Sequence, residues 1–290
     1  MGIIDTGKIE IAYEENGPVD GNAVVLIRGQ GTQLIHWPEE FYEPFAVAGY
    51  RTIRFDNRDT GLSSKYDDIS GKELAHLWEQ ATSGKAFLPP YTLDDMVNDV
   101  IGLMDALNIE TAHIVGISMG GVISQLIAAR HGHRVRSLTS VMSASRSIDP
   151  ALIADLWTVP KPRNEAIKEW VDYMHTYGSK AMLADDEYYR RQAASAYDRC
   201  YTPDGANRQI LAICATTHVN ELARTISLPT LVVHGADDQL VPPEAGRETA
   251  ELIPDAKFKL IEGMGHDIPP ALGQSLSAVI IDHIRSADNL

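Results

Sequence analysis

The ten residues His113-Ile114-Val115-Gly116-Ile117-Ser118-Met119-Gly120-Gly121-Val122 constrain the fold of this chain more than any other stretch. An apolar, β-branched run from His113 to Ile117 breaks at Gly116-Ile117-Ser118-Met119-Gly120, and from Val122 the apolar residues return at Ile123, Leu126 and Ile127. The first pattern is that of a buried strand and the second that of a helix. A strand that turns directly into a helix needs room for its backbone to double back. Gly116 and Gly120 provide that room, because a side chain at either position would meet the neighbouring strand or helix. Ser118, at the apex, then points its hydroxyl outward above the strand ends. The helix behind it aims unpaired backbone N–H groups and its positive dipole end at the same point, where they would stabilise charge forming on an attacked carbonyl.

This stretch resembles the nucleophile elbow of the α/β-hydrolases, a G-x-S-x-G in its required setting between strand and helix. The rest of the chain alternates in the same manner. Residues 2 to 15 read as an opening antiparallel hairpin around Thr6-Gly7, and the unbroken apolar run Ala23 to Ile27 reads as a strand buried on both faces of a largely parallel sheet. A helix from Pro38 to Ala48 and a strand from Tyr50 to Phe55 follow. Thr92 and Asp95 form a capping box ahead of helically spaced Met96, Val97, Val100, Leu103, Met104 and Leu107. After the elbow helix, which is expected to stop at Gly132, come a strand from Val135 to Met142, a strand from Leu228 to His234, a helix from Pro243 to Leu252, a strand from Lys257 to Ile261 and a closing amphipathic helix. Strand and helix in alternation imply right-handed crossovers and an α/β fold: a mostly parallel central sheet with helices on both faces.

The alternation stops between residues 143 and 227. Ile167, Trp170, Val171 and Met174 share one helical face, Ile210, Ile213 and Cys214 another, with a tyrosine-rich segment from Tyr188 to Tyr201 between them. The expectation is a hydrolase core formed by residues 1–142 and 228–290 and a helical cap formed by 143–227, lying over Ser118. Its aromatic residues, Trp157, Trp170 and Tyr188 among them with Tyr173, Tyr189 and Tyr197, are the candidates for a substrate pocket.

Composition narrows the chemistry. With 44% hydrophobic and 22% charged residues in 290, the chain has ample material for a core. A formal net charge of -15 leaves no basic surplus with which to displace counterions, so nucleic acid is not an expected partner. No apolar stretch approaches the length of a membrane span and no leader pattern opens the sequence, so a cytoplasmic protein is expected. The two cysteines, Cys200 and Cys214, fall in segments read as helical and are expected to be buried thiols, not a disulfide or a metal site.

A serine hydroxyl attacks only when an imidazole takes its proton and a carboxylate holds that imidazole. Asp238 and His266 each stand just past a buried strand, at the edge that carries Ser118, and only His266 among ten histidines lies in a glycine-flanked loop after the last strand. The resemblance implies the order serine, acid, histidine, and its H-G-x-x-D turn, matched by His234-Gly235-Ala236-Asp237-Asp238, selects Asp238 over Asp237. It also implies an oxyanion hole made by the backbone N–H groups of Met119 and Gln30. Arg28 stands where the family has histidine in a His-Gly pair; a structural salt bridge is expected of it. The turn Asp56-Asn57-Arg58-Asp59-Thr60-Gly61-Leu62-Ser63 resembles the family's D-x-R-G-x-G-x-S turn, with Asp59-Thr60 in place of one glycine, and reads as structural. Together with Arg54-Phe55 and Gly263-Met264-Gly265-His266, these motifs most resemble the aclacinomycin methylesterase-like branch. The resemblance implies a carboxylic-ester hydrolase that needs no cofactor or metal; the aromatic residues of the cap point to small to medium esters with an apolar portion. Lactone, carbon–carbon and perhydrolytic reactions, or a ligand receptor that keeps the triad, use the same residues and stay open.

Overall fold

In the computed structural model of the protein, residues 1–289 are described, and eight strands form one sheet. In chain order the strands are β1 (Gly2–Asp5), β2 (Glu10–Asn16), β3 (Ala23–Ile27), β4 (Arg51–Phe55), β5 (Ala112–Ile117), β6 (Val135–Val141), β7 (Thr230–Gly235) and β8 (Lys257–Ile261). Across the sheet they run β1-β2-β4-β3-β5-β6-β7-β8; β2 is antiparallel to both β1 and β4, and every pairing from β4 to β8 is parallel. The apolar run of β3 is buried at all five residues because its two faces feed two cores. Val25 and Ile27 pack on one face with residues of α3 (Leu93–Ala106) and α4 (Met119–Arg130), while Val24 and Leu26 pack on the other with α1 (Glu39–Val47) and α10 (Pro270–Asp288).

The parallel strands therefore bring their C-terminal ends, and the loops after them, to one edge of the sheet. Thr92 caps α3 as the sequence implies: its hydroxyl accepts from the Asp95 N–H, and the Asp95 carboxylate accepts from the Thr92 N–H. Between β6 and β7 lie α5 (Arg163–Tyr177), α6 (Asp186–Arg199), α7 (Pro203–Ala215) and the short α8 (Val219–Ala223). A further helix, α2 (Gly71–Thr82), has no counterpart in the sequence reading; Leu74, Leu77, Trp78 and Ala81 give it an apolar face that packs on Leu211 of α7 and on Trp157. Cys214 lies in α7, but Cys200 ends α6 instead of lying within it, and both are free thiols only half-buried, which corrects the expectation of buried ones. Among the described residues no helix is long and apolar enough to cross a membrane.

Candidate active site

Ser118 joins β5 to α4 with φ 53° and ψ −122°, a conformation that costs a residue with a Cβ on the order of 1–3 kcal/mol and survives only where its surroundings impose it. The surroundings do so on both sides. The Ser118 N–H donates to the Val141 carbonyl at 3.0 Å, and its own carbonyl accepts from Gly121 N–H at 2.9 Å and from the Ser143 hydroxyl at 2.8 Å. A Cβ on Gly116 would stand 2.0 Å from the Gly120 carbonyl oxygen, and one on Gly120 would stand 2.2 Å from that of Ile27, so the turn closes only with glycine at both places. The strand end at Gly29 also approaches closely, for a Cβ there would be 3.2 Å from that of Ser118.

The loops after β7 and β8 bring the other two candidates to this serine. His266 Nε2 lies 3.0 Å from Ser118 Oγ, and its Nδ1 lies 2.8 Å from Asp238 Oδ2. Asp238 is buried, and its other oxygen accepts from the N–H groups of Leu240 at 3.0 Å and Val241 at 2.9 Å. Burial opposes its charge, but His266, His234 and the Val241 N–H outweigh that cost and hold the carboxyl far below the usual carboxylate range. An ionised carboxylate only accepts, so it keeps the imidazole proton on Nδ1 and leaves the Nε2 lone pair facing the serine hydroxyl. Asp237 points to solvent, its N–H bonded to the Met264 carbonyl.

Three residues support this arrangement in roles that the sequence does not assign them. His234 is fully buried beside Asp238, with Nε2 2.9 Å from the Val241 carbonyl and 3.4 Å from Asp238 Oδ2. Its signal is the histidine of the His-Gly turn after β7. Tyr177, the last residue of α5, and Ser179, just beyond it, hold the histidine loop: the His266 N–H donates to the Tyr177 carbonyl at 2.6 Å, and Gly265 N–H donates to Ser179 Oγ at 2.9 Å. Asp267 completes that clasp by accepting from the Ser179 N–H at 2.8 Å. No local pattern marks Tyr177 or Ser179, since the contact joins residues almost ninety apart in sequence.

Among the described residues, neither the Met119 N–H nor the Gln30 N–H has a protein acceptor, and both belong to segments that flank Ser118. The loop carrying Gln30 is fixed from the inserted helices: Gln30 Nε2 donates to the Ala206 carbonyl at 3.0 Å, and Gly31 N–H donates to Gln209 Oε1 at 2.8 Å. The turn after β4 is fastened the same way. Asp59, fully buried, takes two parallel bonds of 2.8 Å from the Arg208 guanidinium, and Asp56 pairs with Arg199 at 2.7 Å. Its acidic and basic residues bond the protein, as the sequence implies, and they bind inserted helices as well as their own loop.

A cavity of about 70 Å³ opens at Ser118 and His266. Trp170, Tyr173, Tyr188 and Tyr189 line it, but Trp157 does not: its ring stacks on Trp78 at 4.7 Å, and the neighbouring Leu156 faces the cavity instead. Tyr197 likewise stacks on Tyr201, at 4.4 Å. The lining is more polar than the tally of aromatics implies, with Arg28, Thr32, His36 and Gln192 in it. Burial, aided by the Arg28 charge, pushes the His36 imidazole down to about 3, so that ring is neutral near pH 7. Among the described residues Arg28 makes no salt bridge, which corrects the expected pairing; its Nε donates to Thr32 Oγ1 at 3.1 Å, and its guanidinium lies 4.7 Å from the Trp37 ring centre. A second cavity of about 220 Å³ adjoins the first, with Gln30, Thr32, Leu156, Trp170 and Tyr173 common to both walls.

A doubly covered, mostly parallel sheet with a serine elbow and a histidine loop at its C-terminal edge defines a class, and a family profile for the alpha/beta hydrolase fold matches residues 22–269: the chain belongs to the α/β-hydrolases and is a hydrolase. Within that family it is similar to two rhodomycin D methylesterases, DauP of Streptomyces sp. strain C5 and DnrP of Streptomyces peucetius. DauP is 29% identical over 91% of both chains, and DnrP is 27% identical over 98% of both. The crystal structure of a meta-cleavage product hydrolase from Pseudomonas fluorescens IP01 superimposes with a TM-score of 0.79 at 23% identity, covering 99% of this chain and 98% of that one, a likeness of fold.

Proposed function

We propose that this hydrolase cleaves carboxylic esters through an acyl-enzyme, with Ser118 as nucleophile, His266 as general base and acid, and Asp238 as the group that orients the imidazole and stabilises its charged form. One observation carries the reading: a serine hydroxyl 3.0 Å from an imidazole nitrogen whose other nitrogen lies 2.8 Å from a buried, ionised carboxylate. In the first half-reaction Ser118 Oγ attacks the ester carbonyl as its proton passes to His266 Nε2. The tetrahedral oxyanion takes the N–H groups of Met119 and Gln30, and the imidazolium returns the proton to the departing alcohol oxygen. In the second, His266 draws a proton from water, which attacks the acyl-serine; the imidazolium then returns that proton to the departing Ser118 Oγ, and the acid is released.

A cavity of about 70 Å³ at Ser118 suits a small group on one side of the scissile bond, and the adjoining 220 Å³ suits a larger one on the other. The methylesterase names of DauP and DnrP agree with a small alcohol portion. Residues 143–227 then act as the cap that selects the rest of the substrate. Fluorophosphonate labelling followed by peptide mapping, with p-nitrophenyl acetate turnover by the native protein and by Ser118→Ala, tests the assignment. Labelling confined to Ser118 and multiple turnovers lost in the alanine variant are expected; an alanine variant that still turns over refutes it.

A further inference from the structure

We propose that Arg28 is the anion-recognising group of the catalytic cavity, and that the ester hydrolysed here carries a carboxylate on the portion lodged against it. This rests on reading Ser118 as the nucleophile of an ester hydrolase. Arg28 is 8% exposed and is the one arginine or lysine in the cavity wall among the described residues. Its side chain is oriented by three contacts: Nε to Thr32 Oγ1, Nη1 to the His36 carbonyl at 3.4 Å, and the guanidinium plane to Trp37. All three are neutral. Nη2 has no protein acceptor among the described residues and is not sealed within the core.

Among the described residues no carboxylate comes within ion-pair distance of Arg28. Asp267 stands in the same cavity wall but makes no ion pair with Arg28: one oxygen accepts from the Ser179 backbone and hydroxyl, and the other is buried with no hydrogen-bond partner among the described residues. Burial lowers the guanidinium only to about 10, so it stays charged at neutral pH without a counter-ion. An unpaired buried cation is costly, and an anion that enters the cavity recovers part of that cost. Tyr173, Tyr188 and Gln192 stand in the same wall as neutral hydrogen-bonding groups suited to a carboxylate's remaining lone pairs. The formal net charge of -15 disfavours polyanions at the encounter, so a single carboxylate on a small ester is the class that fits both the surface and the cavity.

Matched ester pairs test this. Monomethyl adipate against methyl adipamate places the carboxylate or its neutral amide on the acyl side, and γ-acetoxybutyrate against γ-acetoxybutyramide places it on the alcohol side. In one pair the native enzyme should favour the carboxylate by about tenfold in kcat/KM, the scale of one charge-assisted hydrogen bond. Arg28→Met should bring that ratio to about one, and Arg28→Lys should retain part of it. An arginine that only braces its loop would lower both members alike and leave the ratio unchanged, which would overturn the proposal. Should Arg28→Met fail to fold, inhibition of native p-nitrophenyl acetate turnover reads the same site: hexanoate should inhibit at about one-tenth the concentration of hexanamide, and equal inhibition would overturn the proposal. Fluorophosphonate labelling of Ser118 with no carboxylate preference in either pair rejects the anion site alone. Absence of both Ser118 labelling and ester turnover in the native protein rejects the parent reading, and this one with it.

Discussion

Replacing Asp238 by asparagine changes one atom of the side chain and should cost most of the activity. Asp238 Oδ1 is held by the N–H groups of Leu240 and Val241, so an asparagine there keeps its carbonyl oxygen on those donors and turns its NH₂ toward His266. Nδ1 must then accept instead of donate, which moves the ring proton to Nε2 and sets a hydrogen, not a lone pair, against Ser118 Oγ at 3.0 Å. The base is lost although every heavy atom stays in place. The same exchange in a Ser-His-Asp serine protease lowers kcat by about 10⁴, equivalent to about 5.5 kcal/mol of transition-state stabilisation. Asp237→Asn changes an exposed side chain and should alter kcat less than about threefold. Stopped-flow measurement of the p-nitrophenol burst would separate acylation from deacylation in both variants, with circular dichroism to check the fold. Similar losses in the two variants, or a loss below tenfold in Asp238→Asn, would refute the tautomer argument.

Arg208→Met leaves the fully buried Asp59 without its paired cation, and denaturant unfolding should show a loss of about 3–5 kcal/mol; the double variant with Asp59→Asn should lose less than the sum of the two single changes. The fold should also weaken in acid through His113, which is fully buried between Ser137 Oγ and Asp288 and is pushed down to about 4, chiefly by burial. The unfolded chain takes up that proton near pH 6.5 while the folded one resists until about 4, so stability falls as pH drops through this window, by up to about 3 kcal/mol. Unfolding free energies measured across it should show a shallower slope in His113→Asn, and an unchanged slope would assign the acid sensitivity to other groups.

What was legible in the sequence follows from range. β3 and β5 are buried on both faces, so their apolar runs are unbroken and identify the sheet without any knowledge of its partners. The elbow is legible for a similar reason: the clashes that demand Gly116 and Gly120 arise within a few residues or against the adjacent strand. Helix α2 carried its signal in Leu74, Leu77, Trp78 and Ala81, but the surface that buries this face lies on α7, more than a hundred residues away. Trp157 and Trp170 look alike in sequence because helical period reports that a face is covered, not whether a cavity or another ring covers it. Trp157 follows a short 3₁₀ turn from Pro150 to Leu156, which turns it toward Trp78. The setting of Arg28 was illegible because it depends on which carboxylates stay away, and only the assembled structure fixes that.

The clasp between residues 177–179 and the loop of residues 265–267 bears on how proteins of this architecture could exchange parts. An inserted segment that merely roofed the sheet could be traded between relatives as a cassette, with new specificity and unchanged chemistry. Here the segment supplies the carbonyl that fixes the His266 backbone and the hydroxyl that fixes Gly265, and it is itself held by Asp267. A transplant with ends near residues 143 and 227 would import a foreign support for the proton-transferring residue. Recombinants should therefore retain turnover only when Tyr177 to Ser179 and Gly265 to Asp267 are inherited from the same parent, so that these two stretches form a single unit of heredity.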